Sequence, residues 1–475
     1  MTVPWLHPSA VPSGPPGDST VGEVLRWWRY RAGISQQQAA QRLATTQSRL
    51  SRIETGGHVI CDVGELRRIA SVIGVAPECF GVLPDSEATA TTGAAERSQR
   101  EWRRVRRELN SHRATLGDLA AELYPDATRV GSTGVLTRPG WMPGEPVELD
   151  RVKLRWLDSV DHPAVMGTDP RVAHVLPYCT QGGRYDRYSR ALRDLARPTL
   201  LDNRISYRLL DVAWGANGGQ LRCHHTSYFD VLDVCEAVAH EFTAAWLRAG
   251  RKAPAVSALP WRQYLGDGFD LAARPMLPSI NTLTIRRDPV DGHRIYLHRR
   301  DAASVAAAGG MLHVSPAGAF QPSCLAVANP GADFSLWRTI QREYSEEFLG
   351  RPEHDGNSTE PIDYRGTEPF RSLDDARACG DLRVHVCGVV LEPLTLWVEL
   401  LTVAVFEAPV FDELFGPMVD VNEEGTAVST EAGNLLAGVP FCADTLVRLA
   451  AEPLSPVARA LVGLAWQHRW LLLAG

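Results

Sequence analysis

The stretch Ile34–Gly56, ISQQQAAQRLATTQSRLSRIETG, constrains the fold more than any other. Gly33 is suited to stop one helix, and the Ser35 hydroxyl to cap the next by accepting a backbone N–H. Gln36–Leu43 reads as a short helix with a small apolar face at Ala39, Ala40 and Leu43, and Ala44, Thr45 and Thr46 as a tight turn. A second short helix, Gln47–Thr55, buries Leu50 and Ile53 and turns Gln47, Ser48, Arg49, Ser51 and Arg52 outward. Gly56-Gly57 ends it in a left-handed cap. Two short helices joined by so tight a turn make a helix-turn-helix. The outward amide, hydroxyl and guanidinium groups are those that read base edges: Gln suits adenine and Arg suits guanine. The competing reading is a helical hairpin in a core with these positions merely solvated. The agreement of spacing, turn and terminal glycines weighs against it.

Over Val21–Pro84 the chain resembles the Cro/C1 (XRE) family of phage and bacterial repressors. The matching pieces are Leu25, Arg29 and Arg31 of a first helix, SQQQAAQRL, TTQSRLSRIETG and a closing LRRIASVIGV. The resemblance implies a five-helix domain over 20–84 that binds double-stranded DNA. It implies Gln36 on a phosphate, Gln47, Ser48 and Arg52 over base edges, and Arg49 on base or backbone, with Thr46 and Ser51 completing the contact set. It also implies a homodimer, because one such module reads only a half-site. Ala44 departs from the glycine frequent at this turn and is strained there if its φ is positive.

A chain of 475 residues is too long for one ordinary core. With a net charge of −7, a DNA-binding protein must confine its positive charge to a module. The nine cysteines show no C-x-x-C pair and no zinc spacing, which fits free thiols in a reducing cytoplasm. Met1–Pro16 lacks the charged and apolar segments of a signal peptide, and no apolar run is long enough to span a membrane. Lys occurs only at 153 and 252, and this Arg-dominated usage, with abundant Ala and Gly, suggests a GC-rich, actinobacterial genome.

Residues 1–19 are rich in Pro, Gly and Ser and are expected to be disordered. Residues 85–96 (Asp85–Ala95, DSEATATTGAA) read as a small, polar linker. Arg97–Arg113 then has a helical period, with Trp102, Val105 and Leu109 on one face and seven Arg in all. Such a helix either grips phosphate beside the DNA module or packs its apolar edge on the next domain. The region 97–275 reads as an α/β middle domain of unknown role. Val172–Pro177, Ser206–Trp214 and Gln220–Tyr228 look like strands, and Tyr188–Leu195 and Val231–Ala249 like helices. His240-Glu241 lacks the second His of a zinc protease, and no phosphate loop or nucleophile elbow appears.

In 276–475, Asn281–Arg287, Arg294–Arg300, Met311–Val314, Arg383–Leu391 and Leu396–Glu407 read as strands, with helices near Phe334–Leu349, Cys442–Ala451 and Pro456–Leu472. Glu343, Glu346 and Glu347 stand at i, i+3 and i+4, so they converge on a regular helix. Like charges so placed cost roughly 0.2–0.5 kcal/mol per pair, and a bound Mg²⁺ or Mn²⁺ would turn that repulsion into coordination. A solvated face with Arg342 offsetting the acids is the competing reading. REYSEEFLG resembles the second half of the Nudix box, and PAGAF the bend that opens it. Asn422–Gly425 (NEEG) stands where such domains often have later acids. The loop before Arg342 is longer than the box allows. Ala328 and Phe334 stand where its glycine and glutamate belong, Asp333 is one place off, and Gly350 comes one place late. That resemblance implies a Nudix-like fold without expected turnover.

The fold expected is multidomain α+β: an all-α helix-turn-helix domain, an α/β middle region and a C-terminal Nudix-like α/β/α sandwich. The function expected is a dimeric transcriptional regulator whose C-terminal domain senses a small nucleotide-derived ligand or serves assembly. The alternative is a metal-dependent pyrophosphohydrolase of nucleoside diphosphate derivatives fused to a DNA-binding module.

Overall fold

The computed structural model describes residues 20–82, 85–180, 182–199, 201–216, 218–300, 311–324, 333–352, 360–419, 425–428 and 438–474. Residues 1–19, Ala328 and the acids of Asn422–Glu424 lie outside these. The chain divides into two compact units: residues up to Arg97 with Thr180–Gly182, and Ser98–Cys179 with Gly183–Gly475.

Four helices and a 3-10 turn build the described part of the N-terminal unit up to Val82: α1 (Val21–Arg31), α2 (Gln36–Arg42), α3 (Gln47–Glu54), α4 (Val63–Ile73) and Pro77–Phe80. Each helix starts on a side chain that accepts one of its orphan N–H groups: Thr20, Ser35, Thr46 and Asp62. Thr20 with Glu23 and Ser35 with Gln38 are full capping boxes. Val24, Leu25, Ala39, Leu43, Leu50, Ile53 and Ile69 meet in one small core. Helix α1 approaches α3 closely: a Cβ at Gly22 would lie 2.2 Å from the Ile53 carbonyl oxygen. The turn between α2 and α3 places Ala44 at φ 51°, in the left-handed region.

The expected linker at 85–96 is helical. Asp85–Ser111 is one 27-residue helix, α5. Small polar residues hid the helix because its Ala and Glu residues favour it without leaving an apolar stripe. Its C-terminal half, with α6 (Arg113–Ala121), packs on α8 (Tyr228–Arg248), and Trp102, Val105 and Leu109 are buried. Arg106 and Arg113 are buried as well, both on Glu236 of α8: Arg106 pairs with it directly, and Arg113 Nη2 lies 2.9 and 3.0 Å from its two oxygens. Arg103 donates to the Leu195 carbonyl. The inward part of this Arg-rich helix is therefore structural, and only Arg100, Arg104 and Arg107 on its second-unit stretch are exposed.

The boundary expected at 275/276 is not a break. Leu136–Thr137 and Val147–Glu148, from the middle region, pair with Leu382–Leu391 in a sheet of nine strands among the described residues. Strands of two residues carry no period, so the sequence could not announce them. In the same sheet, Leu382–Leu391 runs antiparallel to Val398–Glu407, which lies parallel to Ser279–Arg287. Leu400, Ala404 and Phe406 face a core with Leu336, Ile340 and Phe411, while Leu401, Val403 and Val405 face one with Val457, Leu461 and Ala465. Helices thus cover both faces of the sheet, as the alternating burial of a central strand requires. A separate three-stranded sheet holds Val152–Trp156, Ile205–Gly215 and Gly218–Ser227. Val172–Pro177, expected as a strand, is instead the end of a 3-10 turn (Pro170–Val172) followed by further turns. Pro170 sets the helical φ of that turn's first residue and removes a donor.

Two outcomes follow for stability. Glu236→Ala takes from two buried guanidinium groups the carboxylate they share and should cost about 3–5 kcal/mol in denaturant unfolding. Burial raises the Glu236 carboxyl pKa, but Arg106 and Arg113 outweigh that and hold it at about 2, against 4.5 ordinarily. A depressed acid stabilises above its unfolded value, so this contribution should be complete above about pH 5 and fade toward pH 2. The acid limb of the stability curve should be flatter in Glu236→Gln. Ala44→Gly should stabilise the N-terminal unit by roughly 1 kcal/mol, because the left-handed strain of a Cβ exceeds the added entropy of glycine. Hydrogen exchange within residues 36–54 reads that change directly.

Candidate nucleic-acid interface

Helix α3 is eight residues long and buries Leu50, Ile53 and Glu54. Its opposite side and N-terminus leave Thr46, Gln47, Ser48 and Arg52 exposed, with Arg49 and Ser51 half-buried. Thr46 caps the helix by accepting from the Arg49 N–H, and its hydroxyl lies 3.2 Å from that of Ser48. The Arg52 side chain makes no hydrogen bond or ion pair among the described residues. Arg49 is different. Its Nη2 is 2.9 Å from Glu65 Oε2, so it is braced against α4 rather than free over the groove face.

Gln36 is also held. Its amide nitrogen donates to Glu54 Oε2 at 2.9 Å. Glu54 in turn receives both Nε and Nη2 of Arg29, at 2.9 and 3.0 Å, in a bidentate pair. Arg26 donates to the Glu54 carbonyl. These contacts settle the amide orientations by chemistry rather than by fitting. An ionised carboxylate only accepts, so Gln36 presents its NH₂ to Glu54 and its carbonyl oxygen toward Gln47. Gln47 Nε2 then meets Gln36 Oε1 at 3.5 Å, a long contact, and leaves its own oxygen and a second N–H facing solvent. The sequence reading missed Glu54. The signal was present, because Glu54 follows Leu50 by four residues and so shares its buried face.

The three glutamates of the C-terminal region do not stand on one regular α-helix. After Leu336–Glu343 the helix widens into a π turn, Tyr344–Phe348, which breaks the i, i+3, i+4 register on which convergence rested. Glu347 is buried and accepts from the Ser315 hydroxyl at 2.7 Å and the Ala317 N–H at 2.8 Å, with His298 Nδ1 at 3.1 Å. Burial raises its pKa, but His298 and these donors outweigh that and hold the carboxyl below its ordinary range. Glu343 lies against Gly318, where a Cβ would come within 1.9 Å of its Oε1. Glu346 is half-buried. Among the described residues no three His, Cys, Asp or Glu side chains are placed to hold a metal ion. Glu343, Glu346 and Glu347 are not gathered into such a group in the described residues. Asp333, one place off the box, accepts from Ser323 and Tyr364.

Residues 20–79 match the family model described as a helix-turn-helix domain, and with the four helices above they form one. No curated protein matches the chain. Among solved structures, a NUDIX hydrolase from Alicyclobacillus acidocaldarius is similar over 40% of this chain and 90% of that one, at 17% identity and a TM-score of 0.24. That likeness is too slight to decide the fold of the C-terminal region.

Glu54→Ala removes the acceptor on which Arg29 and Gln36 converge. It should destabilise the N-terminal unit by about 3 kcal/mol, within the range for breaking a buried pair. Exchange of the α1 and α3 amides should rise together, and an unchanged pattern would show that the pair contributes little.

Proposed function

We propose that the protein is a DNA-binding transcriptional regulator that places α3 in the major groove of double-stranded DNA. The observation that supports this best is the exposed Thr46, Gln47, Ser48 and Arg52 face on a helix braced by the Arg29–Glu54–Gln36 contacts, within a helix-turn-helix domain. Gln47, with an acceptor and a donor turned outward, matches the N6 and N7 edge of adenine, and a free Arg52 matches guanine. Charge agrees. Residues 20–82 hold eight Arg against five acidic residues, while the whole chain is at −7. The positive charge is thus local, as a module that attracts phosphate needs.

The working form on this reading is a homodimer on paired half-sites, because a single α3 contacts too few base pairs for specificity. Residues 98–475 serve as the part that responds to a small ligand or joins the subunits. A nucleotide-derived ligand at the Glu343–Glu347 helix has less in its favour, since Glu347 is already engaged by His298, Ser315 and Ala317.

Selection of bound fragments from random DNA, followed by titration on the selected and a scrambled duplex, tests the proposal. Gln47→Ala and Arg52→Ala should each cost about 1–3 kcal/mol on the selected site and little on the scrambled one. Equal losses on both duplexes would show phosphate contact only. No enrichment of any sequence would remove the regulator reading.

A further inference from the structure

The second unit contains a cavity of about 180 Å³ between α5, α8 and the segment around Val175. It shares no residue with the DNA-facing helix or with the glutamates discussed above. Its walls are apolar at Trp102, Val105, Val175 and Leu176, and polar around them.

The acceptors lining this cavity are committed. Glu241 is buried and takes three donors: the backbone N–H groups of Trp261 and Arg262, at 2.7 and 2.9 Å, and His174 Nε2 at 2.7 Å. The other nitrogen of His174 is 2.9 Å from the Arg171 carbonyl, so neither ring nitrogen is left for a ligand. Glu101 is held by two guanidinium nitrogens of Arg104, at 2.6 and 2.8 Å. Arg184 donates to the Leu176 carbonyl and covers the Tyr178 ring. The Ser98 hydroxyl oxygen accepts from the Tyr178 N–H.

What remains uncommitted is a set of donors. Arg248, exposed at the rim, makes no hydrogen bond or ion pair among the described residues; its charge acts on Glu101, which Arg104 already holds. The Ser98 hydroxyl keeps its proton to give. A ligand that completes this site brings acceptors and negative charge at one end, and an apolar body for the Trp102, Val105 and Val175 walls at the other. The volume sets its size. A cavity of roughly 150 Å³ accepts benzene, so the site is too small for a nucleoside diphosphate.

We propose that this cavity binds a small organic monocarboxylate, its carboxylate on Arg248 and its apolar body against Trp102, Val105 and Val175. Binding would join α5 to α8 at the stretch where α5 enters the second unit. The meaning of that event for regulation rests on the DNA-binding reading, whereas the binding itself does not.

Calorimetry on the full chain with benzoate and 3-methylbutanoate, and with benzyl alcohol as the uncharged control, tests the site. At least one carboxylate should bind, and benzyl alcohol should bind at least tenfold more weakly. Arg248→Gln, at an exposed position, should keep the wild-type thermal midpoint and weaken the carboxylate at least tenfold. Val105→Phe, which fills the cavity, should reduce binding of both kinds of probe, and a folded Val105→Phe that binds like wild type would place the ligand elsewhere. No binding of either carboxylate to the wild type would overturn the proposal, as would equal affinity for benzoate and benzyl alcohol. DNA titrations without carboxylate stand apart from these outcomes, so failure of this site and failure of the regulator reading are distinguishable.

Discussion

Glu236 neutralises two buried arginines at once, and the packing of the second unit around α5 depends on that. Arg106 and Arg113 are two helical turns apart in sequence, one near the end of α5 and one at the start of α6, and both reach the same carboxylate on α8. Both cations are buried, so separating α5 and α8 would take this shared carboxylate away from charge held in an apolar setting. The aromatic groups beside the pair obey the same constraint. The Tyr188 hydroxyl lies 3.1 Å from His240 Nδ1, and the Trp102 ring stacks on that imidazole at 5.1 Å. Burial, helped by Arg106, pushes the His240 pKa down to about 3, so the ring stays neutral and adds no third cation. Trp102 thereby becomes a fixed wall, which is why a cavity can persist beside it in an otherwise close-packed region.

The helix-turn-helix was legible because its signals are local. Ser35 and Gly56 act within a few residues of themselves and appear as the cap and the left-handed stop their chemistry suggested, while Gln38 and Thr46 add capping contacts of the same local kind. The left-handed φ at Ala44 belongs to the same class: the turn geometry demands it whatever residue stands there. The strands of the central sheet were legible too, since Ser279–Arg287 and Val398–Glu407 are long and apolar. Elements whose reason is tertiary were not. Asp85–Ala95 is helical without an apolar stripe, and Leu136–Thr137 is a strand only because Leu391 is opposite it. The local geometry at the glutamates was not legible for a further reason. Their spacing was read on an α-helix, but the π turn at Tyr344–Phe348 depends on what packs around it, and no spacing rule carries that information.

Arginine shows the same division between local and tertiary cause. On the primary sequence Arg52, Arg106 and Arg342 are the same cation. In the structure Arg52 is exposed, Arg106 is sealed against Glu236, and Arg342 lies buried with Tyr364 and the Gln321 carbonyl. A sealed guanidinium adds almost nothing to the field that a polyanion feels, because its counter-charge sits beside it. Counting arginines along 97–113 therefore overstates the affinity of that helix for phosphate. Within α3 the same logic separates neighbours: Arg49 is discounted by Glu65, while Arg52, three residues on, has no such partner. Under the proposed function, selection of DNA would rest less on the number of cations than on which few are left exposed. The acidic residues decide that. Glu54, Glu65 and Glu236 each hold particular arginines against the protein, while Arg52 and the Gln47 amide stay exposed.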